Sequence, residues 1–119
     1  MVRAIRGAIT AKNTRESILE STRMMLKAIL AENDLEIDQI IAVTFTCTRD
    51  LDAVYPAVAA REIGLVSASL MCMTEMDVQG SLPYCIRVQV LAETDAAPDY
   101  INHVYLREAR KLRPDLMTD

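Results

Sequence analysis

The sequence predicts a single long helix, from about Thr14 to Glu32, in a chain whose other regular segments are mostly strands. Asn13 and Glu16 have the spacing of a capping box at the start of this helix. Its apolar residues recur at helical spacing, namely Ile18, Leu19, Met25, Leu26, Ile29 and Leu30. One such helix covers only one face of a sheet. The surplus apolar face therefore predicts self-association through sheets that pack around a symmetric centre.

Five segments have the composition or the alternation of strands. They are residues 3–10, 40–48, 67–73, 84–93 and 103–106. The second of them, IIAVTFTCT, is rich in β-branched residues and carries no charge. This composition predicts a strand that lies inside the sheet and is buried on both faces.

Short helical segments complete the pattern. Pro56 and Gly64 bracket a helix at residues 57–63, and a turn at residues 98–102 precedes a helical tail that starts at Arg107. The fold class predicted for residues 1–119 is a single α+β domain, with about five strands in a mixed sheet, one long amphipathic helix and short helices.

Composition excludes several classes of function. The net charge is −4, no basic run occurs, and the chain has no Trp and one Phe, which argues against nucleic acid or an anionic membrane as partner. No apolar run has the length of a membrane span, so the expected location is cytoplasmic. Cys47, Cys72 and Cys85 form no CxxC pair, and His103 is the only histidine, so neither a disulfide framework nor a metal site is expected.

The segment from Cys85 to Val90 places a cation on a strand that otherwise looks central. Strict alternation puts Ile86, Val88 and Val90 on one face and Arg87 with Gln89 on the other. A solvated face of an antiparallel sheet is the simplest explanation for such an arginine.

Familiar catalytic motifs are missing from the sequence, which has no Gly-rich phosphate loop, Ser-His-Asp set or HExxH motif. What remains is a set of arginines on strands and a short helix, Arg6, Arg61 and Arg87, together with Glu75. The guanidinium group holds carboxylates in two-point contact, so converging arginines suit a small di-acid.

Four ordered blocks of the sequence identify a family. They are RAIRGAIT, TRDLDAVYPAVAAREIG, CMTEMDVQGSLPYCIRV and HVYLREARKLRPDL. Together they span nearly the whole chain and resemble the small trimeric chorismate mutases of the pseudo-α/β-barrel type. The resemblance implies a homotrimer that forms a pseudo-α/β-barrel, with active sites at the subunit interfaces.

The implied reaction is the intramolecular Claisen rearrangement of chorismate to prephenate, on the way to phenylalanine and tyrosine. One ether C–O bond breaks while a C–C bond forms in the same molecule, so the implied enzyme, an isomerase, needs no nucleophile, metal or cofactor. It accelerates the reaction by holding the substrate in its reactive conformation and by placing positive charge near the ether oxygen.

The resemblance also assigns roles to residues. Arg87 matches the arginine that faces the ether oxygen, Arg6 matches one that binds a substrate carboxylate, and Glu75 matches a glutamate that accepts a hydrogen bond from the ring hydroxyl. Residues that match substrate-contacting positions are Leu70, Met71, Cys72, Tyr105 and Leu112, with Tyr55, Ala57 and Arg61 contributed by an adjacent subunit.

Three positions depart from the family pattern. Val58 stands where a relative can carry a lysine, Met71 stands where threonine is common, and Tyr55 stands where phenylalanine is common. The absent lysine implies weaker electrostatic capture of the dianionic substrate. Two alternative functions remain open from the residues alone, namely an imine-hydrolysing deaminase on a similar trimer and a non-catalytic trimer that binds a di-acid.

Overall fold

The computed structural model describes residues 1–112. Its strands are Val2–Thr10 (β1), Ile40–Cys47 (β2), Ser69–Thr74 (β3), Cys85–Glu93 (β4) and Val104–Tyr105 (β5). Its α-helices are Arg15–Glu32 (α1) and Ala57–Glu62 (α2), and short 3-10 helices lie at Ile37–Gln39, Pro98–Tyr100 and Arg107–Leu112. The predicted α+β fold, with one long helix beside a five-stranded sheet, is confirmed for this part of the chain.

The sheet is mixed, with the strand order β3-β2-β4-β1-β5. Strand β4 runs antiparallel to both of its neighbours, β2 and β1, whereas the outer strands β3 and β5 pair in parallel with them. Arg87 lies in this central strand, directly opposite Ala8 of β1 and Thr46 of β2. Hydrogen-bond ladders on both sides therefore fix the backbone from which its side chain projects.

Helix α1 packs on one face of the sheet and forms the main core with it. The two approach closely at Gly7, where a Cβ would lie 2.9 Å from Cδ1 of Ile29 and 3.2 Å from the carbonyl oxygen of Val104. Side chains that are almost fully buried in this core come from three strands and the helix, and include Ile5, Ile9, Ile18, Met25, Ile29, Val43, Phe45, Ile86 and Val90. Only glycine allows the helix and strand β5 to approach β1 this closely.

The start of α1 differs from the prediction by one residue. Thr14 is the N-cap, and its hydroxyl accepts a hydrogen bond from the backbone N–H of Ser17. The predicted capping box at Asn13 is wrong because that side chain bonds elsewhere. Its amide nitrogen donates to Asp52, and its amide oxygen accepts from the backbone N–H groups of Asp52 and Ala53.

Strand β2 is buried on one face only, so the prediction of burial on both faces is wrong. Val43 and Phe45 face α1, whereas Thr44 and Thr46 are half-buried on the opposite face, which α1 does not cover. That opposite face, here called the open face, is both polar and apolar. Its side chains include Arg6, Thr44, Thr46, Met71, Met73, Arg87 and Gln89.

None of the helices within residues 1–112 combines the length and the apolar character needed to cross a membrane.

The close packing at Gly7 yields a test of the fold. Gly7→Ala should lower the free energy of unfolding by about 1–3 kcal/mol, because the new methyl group overlaps Ile29 and the backbone of Val104. Urea denaturation at a fixed protein concentration measures the change. Gly80→Ala is the matched control, since nothing lies within 4 Å of its added Cβ and only its positive φ of +82° opposes the substitution. Equal stability of Gly7→Ala and the parent chain would contradict this packing.

Candidate active site

The open face carries an ion pair between strand β4 and the loop that follows β3. Nη1 of Arg87 lies 3.5 Å from Oε2 of Glu75, and their side chains are 42% and 24% exposed. Two further groups hold the carboxylate. The hydroxyl of Thr46 donates to Oε2 at 2.8 Å, and the backbone N–H of Met76 donates to Oε1 at 3.0 Å. Glu75 therefore keeps a defined orientation beside Arg87.

Arg6 and Tyr105 face the same side of the sheet as this ion pair. Together with Glu75 and Arg87 they line an open pocket of about 330 Å³. The backbone N–H of Arg6 donates to Nδ1 of His103 at 2.9 Å, which ties the middle of β1 to the segment before β5. Arg6 is exposed and Tyr105 is buried. The structure thus brings Arg6, Glu75, Arg87 and Tyr105 of one chain to the same pocket.

Leu112 lies beside a neighbouring pocket that shares two of these residues. This pocket of about 270 Å³ is lined by Glu75, Arg87 and Leu112, together with residues of the loop between β3 and β4. Leu112 also packs against a small apolar cluster that contains Tyr105. Leu112 therefore lies next to the ion pair, and its role in lining the site stays a prediction.

A second group of predicted site residues lies elsewhere on the chain. Tyr55 and Cys72 line an open pocket of about 690 Å³, together with Val58 at the start of α2. Burial raises the pKa of the Cys72 thiol, while a backbone hydrogen bond from Ala57 and the charge of Arg61 lower it. Ala57 is buried, and Arg61 is exposed on α2.

The remaining residues of β3 divide between the two faces of the sheet. Leu70 and Cys72 pair with Val43 and Phe45 and pack against the main core, on the side of α1. Met71 is 57% exposed and pairs with Thr44 on the open face. One chain therefore does not bring the thiol of Cys72 to Arg87, because the two side chains project from opposite faces.

Thr46 is a site residue that the sequence analysis missed. Its hydroxyl binds the carboxylate oxygen of Glu75 that lies beside Arg87. The available signal was the alternation of Thr44 and Thr46 within β2, continued by Thr48 just after it, which marks one polar face of that strand. The overall apolar composition of the segment hid this alternation.

Within residues 1–112, no group of three or more His, Cys, Asp and Glu side chains is placed to hold a metal ion. The thiols of Cys47, which is half-buried, and of Cys85, which is buried, are poor nucleophiles. Burial, with smaller effects of nearby Cys72, Cys85 and Asp50, raises the pKa of Cys47 to about 12. Burial likewise raises the pKa of Cys85 to about 11, although Arg87 opposes the shift.

The open face offers fixed charges and hydrogen-bonding groups, which suit the binding of an anion.

Comparisons with known proteins agree on one family. The family model for chorismate mutase type I matches residues 2–116. Chorismate mutase AroH from Thermus thermophilus is 48% identical over 118 residues, which cover 98% of this chain and 97% of that protein. Chorismate mutase AroH from Bacillus subtilis strain 168 is 44% identical over 118 residues, which cover 98% of this chain and 93% of that protein.

A solved structure gives the same result. The chorismate mutase from Clostridium thermocellum superposes with a TM-score of 0.90 at 49% sequence identity, over 92% of this chain and 98% of that chain.

The buried thiols yield a test of the geometry around the site. At pH 8, Cys47 and Cys85 should resist iodoacetamide in the folded protein, because only the thiolate reacts and burial raises both pKa values. Thiols of the urea-unfolded chain have a pKa near 8.5 and should react within minutes, as mass spectrometry would report.

The same shifts determine the pH dependence of stability. Because the folded-state pKa values are raised, ionisation favours the unfolded chain, so the free energy of unfolding should fall as the pH rises from about 8.5 towards those values.

In the labelling experiment, rapid reaction of Cys85 with iodoacetamide in the folded protein would contradict its burial.

Proposed function

Since this chain belongs to the type I chorismate mutase family, it converts chorismate to prephenate, and we propose that Arg87, Glu75 and Arg6 carry the reaction. The enzyme is an isomerase, and the family implies a place in the biosynthesis of aromatic amino acids. The family match favours this function over imine hydrolysis and over binding without reaction. As part of the same proposal, the protein acts in the cytoplasm and needs no cofactor.

Arg87 stabilises the negative charge that develops on the ether oxygen as the C–O bond breaks. The observation that carries this proposal is the ion pair of Arg87 with Glu75 on the central strand, beside two open pockets. A guanidinium on a strand that is paired on both sides moves little, so its charge is already in place before the bond breaks.

Arg6, Tyr105 and Leu112 bind and enclose the substrate in this proposal. Arg6 offers a two-point contact to a carboxylate, and Tyr105 contributes a polar group at the edge of the same pocket. Glu75 accepts a hydrogen bond from the ring hydroxyl and offsets part of the charge of the two arginines. These contacts favour the folded conformer in which the reacting carbons lie close together.

The active site forms between copies of the chain in a homotrimer. The support for this proposal is the division of the predicted residues into two groups, one around Arg87 on the open face and one around Tyr55 at the start of α2. Tyr55, Ala57 and Arg61 of one copy would complete the site that contains Arg87 of the next. Self-association would also cover the open face, on which Met71 and Met73 are exposed.

Substitution of Arg87 tests its electrostatic role. Arg87→Ala should lower kcat/KM for chorismate by a factor of about 10² to 10³ or more, because it removes a preorganised positive charge. Prephenate formation by the purified variant measures the loss. Arg23→Gln is the control, since Arg23 pairs with Glu62 on an exposed surface of the helices. Activity of Arg87→Ala near that of Arg23→Gln, in a folded protein, would refute this role.

Mixing two inactive variants tests whether sites are shared between copies. Arg87→Ala and Arg61→Ala should each lose activity when alone. Refolding them together in equal amounts should restore about a quarter of the sites, because random assembly of a ring of three joins an intact Arg87 to an intact Arg61 at that frequency. Native mass spectrometry would verify the mixed trimers. Mixed trimers without any recovered activity would rule out the shared site.

A further inference from the structure

The four residues from the end of β2, Cys47 to Asp50, each contact the loop that joins β3 to β4. The carbonyl oxygen of Cys47 accepts from the backbone N–H of Glu75 at 2.8 Å. At the other end of that loop, the hydroxyl oxygen of Thr48 accepts from the backbone N–H of Cys85 at 3.0 Å. Both ends of the loop are therefore tied to one short segment.

The next two residues add side-chain contacts to the same loop. Nη1 of Arg49 lies 3.9 Å from Oδ2 of Asp77, in an exposed ion pair. The carboxylate of Asp50 accepts from the backbone N–H of Tyr84 through both of its oxygens, each at 3.1 Å. Residues 47–50 are here called the clasp. Its contacts to the loop start immediately after β3 and end at the first residue of β4.

Asp50 holds a part of the loop that is unfavourable on its own. Tyr84 has a φ of +53°, in the left-handed region that residues with a Cβ rarely adopt. The half-buried carboxylate of Asp50 binds its N–H and also accepts from the hydroxyl of Thr48. Thr48 thus donates to Asp50 and accepts from Cys85, so the two side chains fix two successive backbone N–H groups.

The loop held in this way forms a wall of the site. Glu75, Met76, Leu82 and Cys85 line the pocket that also contains Arg87. The backbone N–H of Glu75 itself bonds to Cys47 of the clasp. Arg87 lies two residues after Cys85, whose backbone N–H bonds to Thr48 of the clasp. A displacement of the loop would therefore move the glutamate and the start of the strand that carries the arginine.

We propose that Thr48 and Asp50 are positioning residues, which hold the loop from Glu75 to Cys85 so that Glu75 and Arg87 keep their separation of 3.5 Å. This inference rests on the catalytic role of Arg87 and Glu75 proposed above. Thr48 also lies in the lining of the pocket that contains Glu75 and Arg87, whereas Asp50 reaches the site only through the backbone N–H of Tyr84 and the hydroxyl of Thr48. Both act through backbone N–H groups, and the separation that they maintain sets how well the guanidinium and the carboxylate meet the substrate.

The experiment compares Thr48→Val with Thr48→Ser and Asp50→Ala with Asp50→Asn. Thr48→Val keeps the shape of the side chain and removes its hydroxyl group, whereas Thr48→Ser retains that hydroxyl. We expect kcat for chorismate to fall by about tenfold to a hundredfold in Thr48→Val and Asp50→Ala, with a smaller change in KM. Thr48→Ser should recover most of the loss, and Asp50→Asn, which keeps one acceptor oxygen, should lie in between.

Hydrogen exchange of the backbone amides supplies a readout that does not depend on turnover. The amides of Tyr84 and Cys85 should exchange faster in Thr48→Val and Asp50→Ala, while those of the core strands stay protected. Asp95→Asn, at an exposed aspartate outside the clasp, is the control and should alter neither readout. If Asp50→Ala does not fold, the pair of Thr48 variants decides the outcome.

Two results would overturn the proposal. One is an unchanged kcat in Thr48→Val although the two amides exchange faster. The other is an equal loss of kcat in Thr48→Val and Thr48→Ser, which would mean that the hydroxyl group is irrelevant. Arg87→Ala, measured alongside, separates the two levels of inference. Loss of activity in Arg87→Ala but not in the clasp variants would reject the clasp alone, whereas an active Arg87→Ala would reject the proposed catalytic role.

Discussion

The packing of one 18-residue helix on one face of a five-stranded sheet determines where the polar residues of this chain can lie. The face under α1 is closed mainly by large apolar side chains, and the helix packs closely on β1 at Gly7. The charged side chains of Arg6 and Arg87, near the middle of β1 and at the centre of β4, project to the other face. Arg3, near the start of β1, lies on the side of α1 and donates to the carbonyl oxygen of Ala96. The 3-10 helix Arg107–Leu112 covers the open face around Ala8, Cys85 and Tyr105. Around Thr46 and Arg87 the face stays half-exposed, and this part accommodates the candidate site and, in the proposed trimer, contacts to further copies.

The strand that carries Arg87 fixes the position of its side chain. Strand β4 is bonded along both edges, to β1 and to β2, and the side chain then meets the carboxylate of Glu75. The reaction of this family needs a fixed positive charge more than it needs a proton carrier. A central strand provides such a charge better than a loop does, because the backbone cannot relax when the substrate binds.

The sequence was informative where structure follows from local patterns. The strands, both α-helices and the alternation that isolates Arg87 all follow from periodicity within a few residues of one another. The errors have a common cause in contacts between distant positions. Asn13 has the composition of a cap, but it bonds to Asp52, 39 residues away, so Thr14 caps the helix instead.

The site could be predicted from local sequence patterns to a smaller extent than the fold. One pocket brings together Arg6, Glu75, Arg87 and Tyr105. Residue spacing alone identified only a set of arginines, and the family resemblance supplied the roles proposed for them. The contacts of Thr46 with Glu75 and of Thr48 with Cys85 join residues 29 and 37 positions apart. No local pattern encodes such pairs. Likewise, the burial of β2 on one face depends on how many faces α1 covers, which strand composition does not reveal.

The bonding of Glu75 has a consequence for ligand selection. A carboxylate has about four lone-pair positions for donors. Three groups, the Thr46 hydroxyl, the Arg87 guanidinium and the Met76 N–H, already approach this one. Room remains for about one more donor at this carboxylate. An acceptor atom of a ligand at that position would be repelled by the carboxylate oxygens. Under the role proposed for Glu75, a ring hydroxyl, which can donate to this carboxylate, would be favoured there over a ring ketone, which can only accept.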